Sequence, residues 1–180
     1  MALEIERRFL VSLDAAEPWR AHVAWQQRLQ QGYLSAGASG FTTRVRHDGA
    51  AGAWLTLKCA AAASQAVRHE FEYPIPAADA RELLALSSQQ LSKWRYGLDL
   101  PDGDWVLDVF EGSNAPLVIA EVELSSPDQP LAIPPWCVLE ITGQGRLSNA
   151  ALAATPLSAW EPLERNHLLQ RAGAPSSCLG

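Results

Sequence analysis

Cysteine is scarce in this sequence: Cys59, Cys137 and Cys178 are the only three, an odd number at wide spacing. That pattern offers no disulfide framework and no zinc-binding arrangement. Positive charge is also in short supply. Fourteen Lys and Arg residues meet twenty Asp and Glu, giving a formal net charge of −6 and a pI near 5.2. A general nucleic-acid binder is expected to be basic, so that class is excluded as a partner, although a local cluster of arginines could still hold a small anion. No apolar run approaches the roughly 18 residues that span a bilayer. No basic segment followed by an apolar one opens the chain, as it would in a secretory signal. The expectation is a cytoplasmic protein with no membrane partner. Glycine-rich phosphate loops are missing too, since neither G-x-G-x-x-G nor a Walker A pattern occurs, and there is no internal repeat.

What is present is a chain of 180 residues, 48% hydrophobic and 19% charged, long enough for one sizeable core. Short runs of alternating polarity recur at roughly ten-residue intervals between turn signals. Strands are expected from Met1 to Val11, Trp25 to Ser35, Phe41 to His47, Trp54 to Cys59, Val67 to Ile75, Gln90 to Leu98, Trp105 to Glu111, Leu117 to Ser125 and, briefly, Cys137 to Thr142. Turns fall at Gly37–Gly40, Asp48-Gly49, Pro101–Asp104 and Gly112–Pro116, and the alanine-rich stretch Ala60–Ala66 reads as a loop. A short helix fits Asp14–Trp25. Pro76 and Asp79 open another through about Leu86, with Asp79 and Glu82 at capping-box spacing. Helices are also expected from Ser148 and over Ser158–Arg171, with a frayed tail from Gly173. This predicts an antiparallel, mainly β domain over residues 1–155, with a few helices, and a C-terminal helical extension and tail over 156–180.

The first strand organises the rest. Glu4, Glu6 and Arg8 share one face, and carboxylates two residues apart on a strand sit about 7 Å apart, a separation that suits a divalent cation between them. The same face of later strands carries Arg44 and Arg46; Lys58, with Thr56 and Trp54; Arg68, Glu70 and Glu72; Lys93 and Arg95; Asp108; and Glu121 and Glu123. A solvated amphipathic sheet accounts for alternation alone. Three features argue further. The face is nearly all ionic, its like charges pair at i and i+2 and repel without a ligand or counter-ion, and its cations are mainly Arg, suited to bidentate phosphate recognition. Closed into a barrel with this face inward, the sheet becomes a charged tunnel that bound metal and polyanion would complete. The four histidines are scattered and the seven tryptophans read as packing.

Glu4-Ile-Glu-Arg-Arg8 resembles the Glu-x-Glu-x-Lys signature of the CYTH domain, in the triphosphate tunnel metalloenzyme superfamily. Gln31-Gly-Tyr-Leu34, Arg44-x-Arg46, Leu55-Thr-Leu-Lys58, Arg68-x-Glu70-x-Glu72, Lys93-x-Arg95-Tyr96, Leu107-Asp-Val-Phe110 and Glu121-Val-Glu123 follow in the family's order. The likeness is to small bacterial members that hydrolyse inorganic tripolyphosphate. It implies an eight-stranded antiparallel β-barrel tunnel and metal-dependent hydrolysis of inorganic triphosphate or another linear polyphosphate. Glu4, Glu6, Glu121 and Glu123 resemble the ligands of Mg²⁺ or Mn²⁺, and Arg44, Arg46, Lys58, Lys93 and Arg95 the phosphate clamps. Glu70, Glu72 and Asp108 would orient those cations, and Glu4, Glu6, Arg8 and Lys58 would form the catalytic set.

Two positions depart from the family pattern. Arg8 replaces the signature Lys and cannot accept a proton. The stretch Thr142–Asn149 lacks the acid and tyrosine of similar proteins. The superfamily also admits cyclisation of ATP, hydrolysis of thiamine triphosphate, and a non-catalytic sensor of polyphosphate or nucleoside triphosphate. The partner expected is a small-molecule polyphosphate, and the apolar opposite faces are compatible with a homodimer.

Overall fold

A computed structural model describes residues 3–35, 41–49, 52–60 and 67–174. The turn at Gly37–Gly40, most of the alanine-rich loop and the end of the tail lie outside the described residues. Nine strands form: β1 (Leu3–Val11), β2 (Val23–Ser35), β3 (Phe41–His47), β4 (Ala53–Ala60), β5 (Val67–Pro74), β6 (Gln89–Leu98), β7 (Asp104–Phe110), β8 (Val118–Glu123) and β9 (Cys137–Glu140). Three α-helices accompany them: α1 (Ala77–Leu86), α2 (Asn149–Ala154) and α3 (Pro162–Arg171).

Every pairing is antiparallel. The order runs β5-β4-β3-β2-β6-β7-β8-β1-β9, and β5 also pairs with β1 through Leu3↔His69, Glu4↔Arg68 and Ile5↔Val67. Strands β1 to β8 therefore surround a tunnel, and β9 lies against the far end of the same β1 edge, opposite Phe9–Val11. The β3–β4 hairpin turns at Gly49, whose φ of +79° suits glycine, and the Asp48 carboxylate accepts from the Gly52 amide at 2.9 Å.

The outer wall is apolar where other segments cover it. Phe9, Val11, Tyr96, Leu98, Trp105, Leu107, Ala120 and Val122 pack with Trp19, Leu124 and Trp136. Trp19 comes from a 3₁₀ turn at Pro18–His22, the short helix expected in that connection. Helix α1 lays Ala80 and Leu84 on Val45 and Ala53. It is not opened by a capping box: Pro76 occupies the N-cap with no side-chain bond, and Asp79 lies inside the first turn. On β5, Phe71 and Tyr73 stay exposed on the outer face.

The inner face changes character along the strands. Leu10, Leu91, Phe110 and Ile119 share faces with Arg8, Lys93, Asp108 and Glu121 by the period of two. These apolar residues pack with Ile141, Leu147, Leu152, Leu157, Trp160, Leu169 and Ala172. One end of the strand set is thus filled by the segment after β9, and the ionic part is left to the cavity. Each fully buried Leu or Ile there contributes about 1.5–3 kcal/mol. The helix expected over Ser158–Arg171 is split in two. A 3₁₀ turn spans Leu157–Ala159, and α3 begins at Pro162, where a missing N–H costs nothing. No helix among the described residues is long and apolar enough to cross a membrane.

Candidate active site

A cavity of about 820 Å³ runs inside the strands, lined by Glu4, Glu6, Arg8, Arg44, Arg46, Lys58, Glu70, Glu72, Arg95, Glu121 and Glu123. Alternation puts each of these side chains on the inner face, and the register brings them together across strands. Thr56 stands between Arg44 and Glu72, donating to Glu72 Oε2 at 2.8 Å and accepting from Arg44 Nη2 at 3.0 Å. Arg44 also pairs with Glu72 at 3.2 Å and Glu70 at 3.6 Å, and Arg46 pairs with Glu72 at 3.1 Å. Lys58 Nζ bridges Glu4 at 2.8 Å and Glu70 at 2.9 Å. Glu70 and Glu72 thus pair with the cations of β3 and β4.

A second network lies deeper. Glu121 gives one oxygen to Arg8 Nε at 3.0 Å and the other to Arg95 at 2.7 Å. Arg95 reaches back to both oxygens of Asp108 at 2.8 Å. Asp108 also accepts from Lys93, whose ammonium donates to Asn149 Oδ1 at 3.1 Å. Lys93 is 1% exposed and does not line the cavity. Lys93, expected among the phosphate clamps, sits between Asp108 and the cavity-lining Asn149. Arg8 lies 5% exposed, with its guanidinium donating to the Leu147 carbonyl at 3.1 Å. Its backbone N–H donates to Thr142 Oγ1. The divergent stretch Thr142–Asn149 thus supports Arg8 and Lys93 with a hydroxyl, a carbonyl and an amide. Gly145, Ser148, Asn149 and Ala150 also line the cavity.

Ionisation follows this layout. Burial pushes the Glu4 carboxyl up to about 8, Lys58 pulling against it and Glu6 and Glu70 adding to it. Burial also raises Glu123, helped by Glu70, Asp104 and Glu6. Against the cost of its own burial, Glu121 is held well below the ordinary carboxylate range by Arg8 and Arg95. Burial drives Lys93 down to about 8, with Asp108 opposing and Arg95 assisting. The crowding of negative charge lies on β1 and β8, where Glu6 stands directly opposite Glu123.

The donors on that wall are hard carboxylate oxygens, the chemistry of a Mg²⁺ or Mn²⁺ site and not of a zinc or copper site. Among the described residues no three acidic, imidazole or thiol groups close around a point that an ion would fill. Glu121 has both oxygens committed to arginines. Glu4 likewise has both oxygens on Lys58 Nζ, each at 2.8 Å, so the carboxylates of this wall that would hold a cation are Glu4, Glu6, Glu121 and Glu123, with ion pairs exchanged as it enters. On the opposite wall the Nε atoms of Arg44 and Arg46 are buried and have no hydrogen-bond partner. Buried donors of this kind are costly unless a ligand meets them.

Several cavity residues escape a reading based on charge. Tyr33 is 6% exposed and accepts a 2.7 Å hydrogen bond from Gln31. Tyr33 and Gln31 share the inner parity of β2, which weak alternation in that strand obscures. Asn149 reaches the site from α2 through a contact 56 residues along the chain, which no local pattern encodes.

An antiparallel tunnel walled by carboxylates on one side and by arginines with unmet donors on the other defines a β-tunnel protein with a charged interior. Comparison with known proteins gives the family. The CYTH domain matches residues 2–150, and the chain belongs to the CYTH domain family. It is 34% identical over 158 residues to an inorganic triphosphatase of Acetivibrio thermocellus, covering 87% of this chain and 96% of that one. It is 36% identical over 154 residues to an inorganic triphosphatase of Nitrosomonas europaea, covering 83% and 96%. A crystal structure of an inorganic triphosphatase aligns with a TM-score of 0.59 at 33% identity, covering 85% of this chain and 95% of that one.

Proposed function

We propose that the protein is a metal-dependent phosphohydrolase that cleaves inorganic triphosphate or another linear polyphosphate inside its tunnel. The observation that carries this reading is the pair of buried, partnerless Nε donors on Arg44 and Arg46, two residues that line a cavity whose other wall is crowded with carboxylates. The names of the two curated relatives support it.

In this reading Arg44, Arg46, Lys58 and Arg95 grip the phosphate oxygens and stabilise the charge that grows on them in the transition state. Glu70, Glu72 and Asp108 hold those cations in place before substrate arrives, so little reorganisation accompanies the reaction. Glu4, Glu6, Glu121 and Glu123 would hold Mg²⁺ or Mn²⁺. When bound, the cation neutralises charge on the phosphate oxygens. A water oriented by a cavity carboxylate attacks the terminal phosphorus, the bridging P–O bond breaks, and orthophosphate separates from the shortened chain. Arg8 supplies charge at the base of the site and transfers no proton.

The test is phosphate release from tripolyphosphate, ATP and pyrophosphate, each with Mg²⁺, Mn²⁺ or a chelator. Metal-dependent release from tripolyphosphate well above ATP is the expected result. The double variant Glu4→Gln/Glu6→Gln should lose that release and remain folded by circular dichroism. Undiminished turnover in this variant would sink the assignment. ATP consumed as fast as tripolyphosphate would shift the substrate to nucleotides.

A further inference from the structure

Arg44 and Arg46 are both cavity residues, yet they are anchored unequally. Arg44 has three protein partners, Thr56, Glu72 and Glu70. Among the described residues Arg46 pairs with a single carboxylate, Glu72. A side chain as flexible as arginine needs more than one contact to hold its guanidinium in a fixed plane.

The missing support is aromatic. Trp54 is the direct cross-strand partner of Arg46 in the β3–β4 ladder, and the Arg46 guanidinium carbon lies 5.2 Å from the Trp54 ring centroid. The ring is itself fixed from behind. A Cβ placed on Gly52 would come within 1.8 Å of the Trp54 ring, so glycine at that position is what lets the indole lie there. Trp54 does not line the cavity, whereas Arg46 does.

We infer that Trp54 is a positioning residue for phosphate binding: its ring holds the Arg46 guanidinium in place at the cavity wall. This rests on the reading that Arg46 grips phosphate. Burial and the neighbouring Arg44 charge both work against the Arg46 cation, and the negative face of the indole offsets part of that cost. The ring acts on substrate only through Arg46, so its contribution should vanish when Arg46 is absent.

The experiment is a double-mutant cycle on tripolyphosphate turnover with Mg²⁺, using Trp54→Leu, Trp54→Phe, Arg46→Ala and Trp54→Leu/Arg46→Ala. Leucine keeps an apolar filler and removes the aromatic face, and thermal melting verifies that each variant is folded. Trp54→Leu should raise KM between about twofold and thirtyfold, the range of a cation–π contact, with kcat little changed. Trp54→Phe should recover most of the loss. In the Arg46→Ala background, Trp54→Leu should add nothing. An unchanged KM in Trp54→Leu would overturn the inference, as would an equal loss with and without Arg46. If the native protein released no phosphate from tripolyphosphate, the functional reading beneath would fall instead.

Discussion

Asp108 has no exposed surface, yet both its oxygens are engaged, by Arg95 and Lys93. A buried carboxylate between two cations neutralises them more than it adds to stability, because desolvation of all three offsets much of the attraction. Removing its charge alone is a different matter. Asp108→Asn would leave Arg95 and Lys93 buried with one charge fewer between them, and should lower stability by about 3–5 kcal/mol in urea unfolding. Alkaline pH probes other single groups. Burial raises Tyr33 from 10 and Cys137 from 9, each to about 12. Between those limits the folded chain holds protons that the unfolded chain has lost, so stability falls as pH rises, by about 1.4 kcal/mol per unit for each group. Lys93 has the opposite sign: lowered from 10.5 to about 8, it adds stability as pH rises across that interval. The expected curve gains slightly from pH 8 to 9 and falls steeply only above about 10.5. Tyr33→Phe should remove about half of the steep part. At this scale the sequence showed which residues are ionic and which face they share. It did not show that Lys93 sits between Asp108 and Asn149, because Asn149 is a residue of neutral charge on a distant helix.

Among the described residues, β1 and β5 share the shortest ladder in the wall, with three paired residues against ten in the β2–β6 ladder. Local opening follows the density of hydrogen bonds and packing. Amides of Leu3–Ile5 should therefore exchange with deuterium well before those of Leu29–Gln31 in β2. Equal protection of the two sets would show that the joint opens only with the whole fold. The strands were legible because a half-buried strand writes its two faces directly into alternating polarity, as in Phe41–His47 and Val118–Glu123. Helix starts were less so. Asp79 and Glu82 have the spacing of a capping box, but Pro76 already fixes the entry of the chain into α1. Pro162 reads as an interruption, and in the fold it is the first residue of α3. A proline marks a boundary without telling which side of it is helical.

Taken whole, the molecule divides its inner face between ions and hydrocarbon, and the division depends on the chain after β9. Leu169 on α3 is 2% exposed and shares a cluster with Leu10, Leu91 and Phe110 from the strands. Leu169→Ala should cost about 2–5 kcal/mol in global stability, read as a lower melting temperature. Unchanged melting would mean that α3 docks without supporting the strands. That a tunnel exists was visible in the ionic face. Which part of it is filled was not, since Ile141, Leu147 and Leu157 have no local pattern directing them inward.

The first strand has a further consequence, which concerns time. β1 precedes all of its partners in the chain: its neighbours are β5, β8 and β9, and Glu6 finds its register partner at Glu123. Until β5, β8 and β9 emerge during synthesis, both edges of β1 carry unpaired N–H and C=O groups beside Phe9 and Leu10, an invitation to pair with another chain. Closing the wall requires contacts between distant parts of the sequence, so refolding should be slow for a chain of this length, in the millisecond-to-second range. The alternating charges Glu4, Glu6 and Arg8 would then serve before any ligand is bound, keeping the waiting strand soluble until its partners arrive.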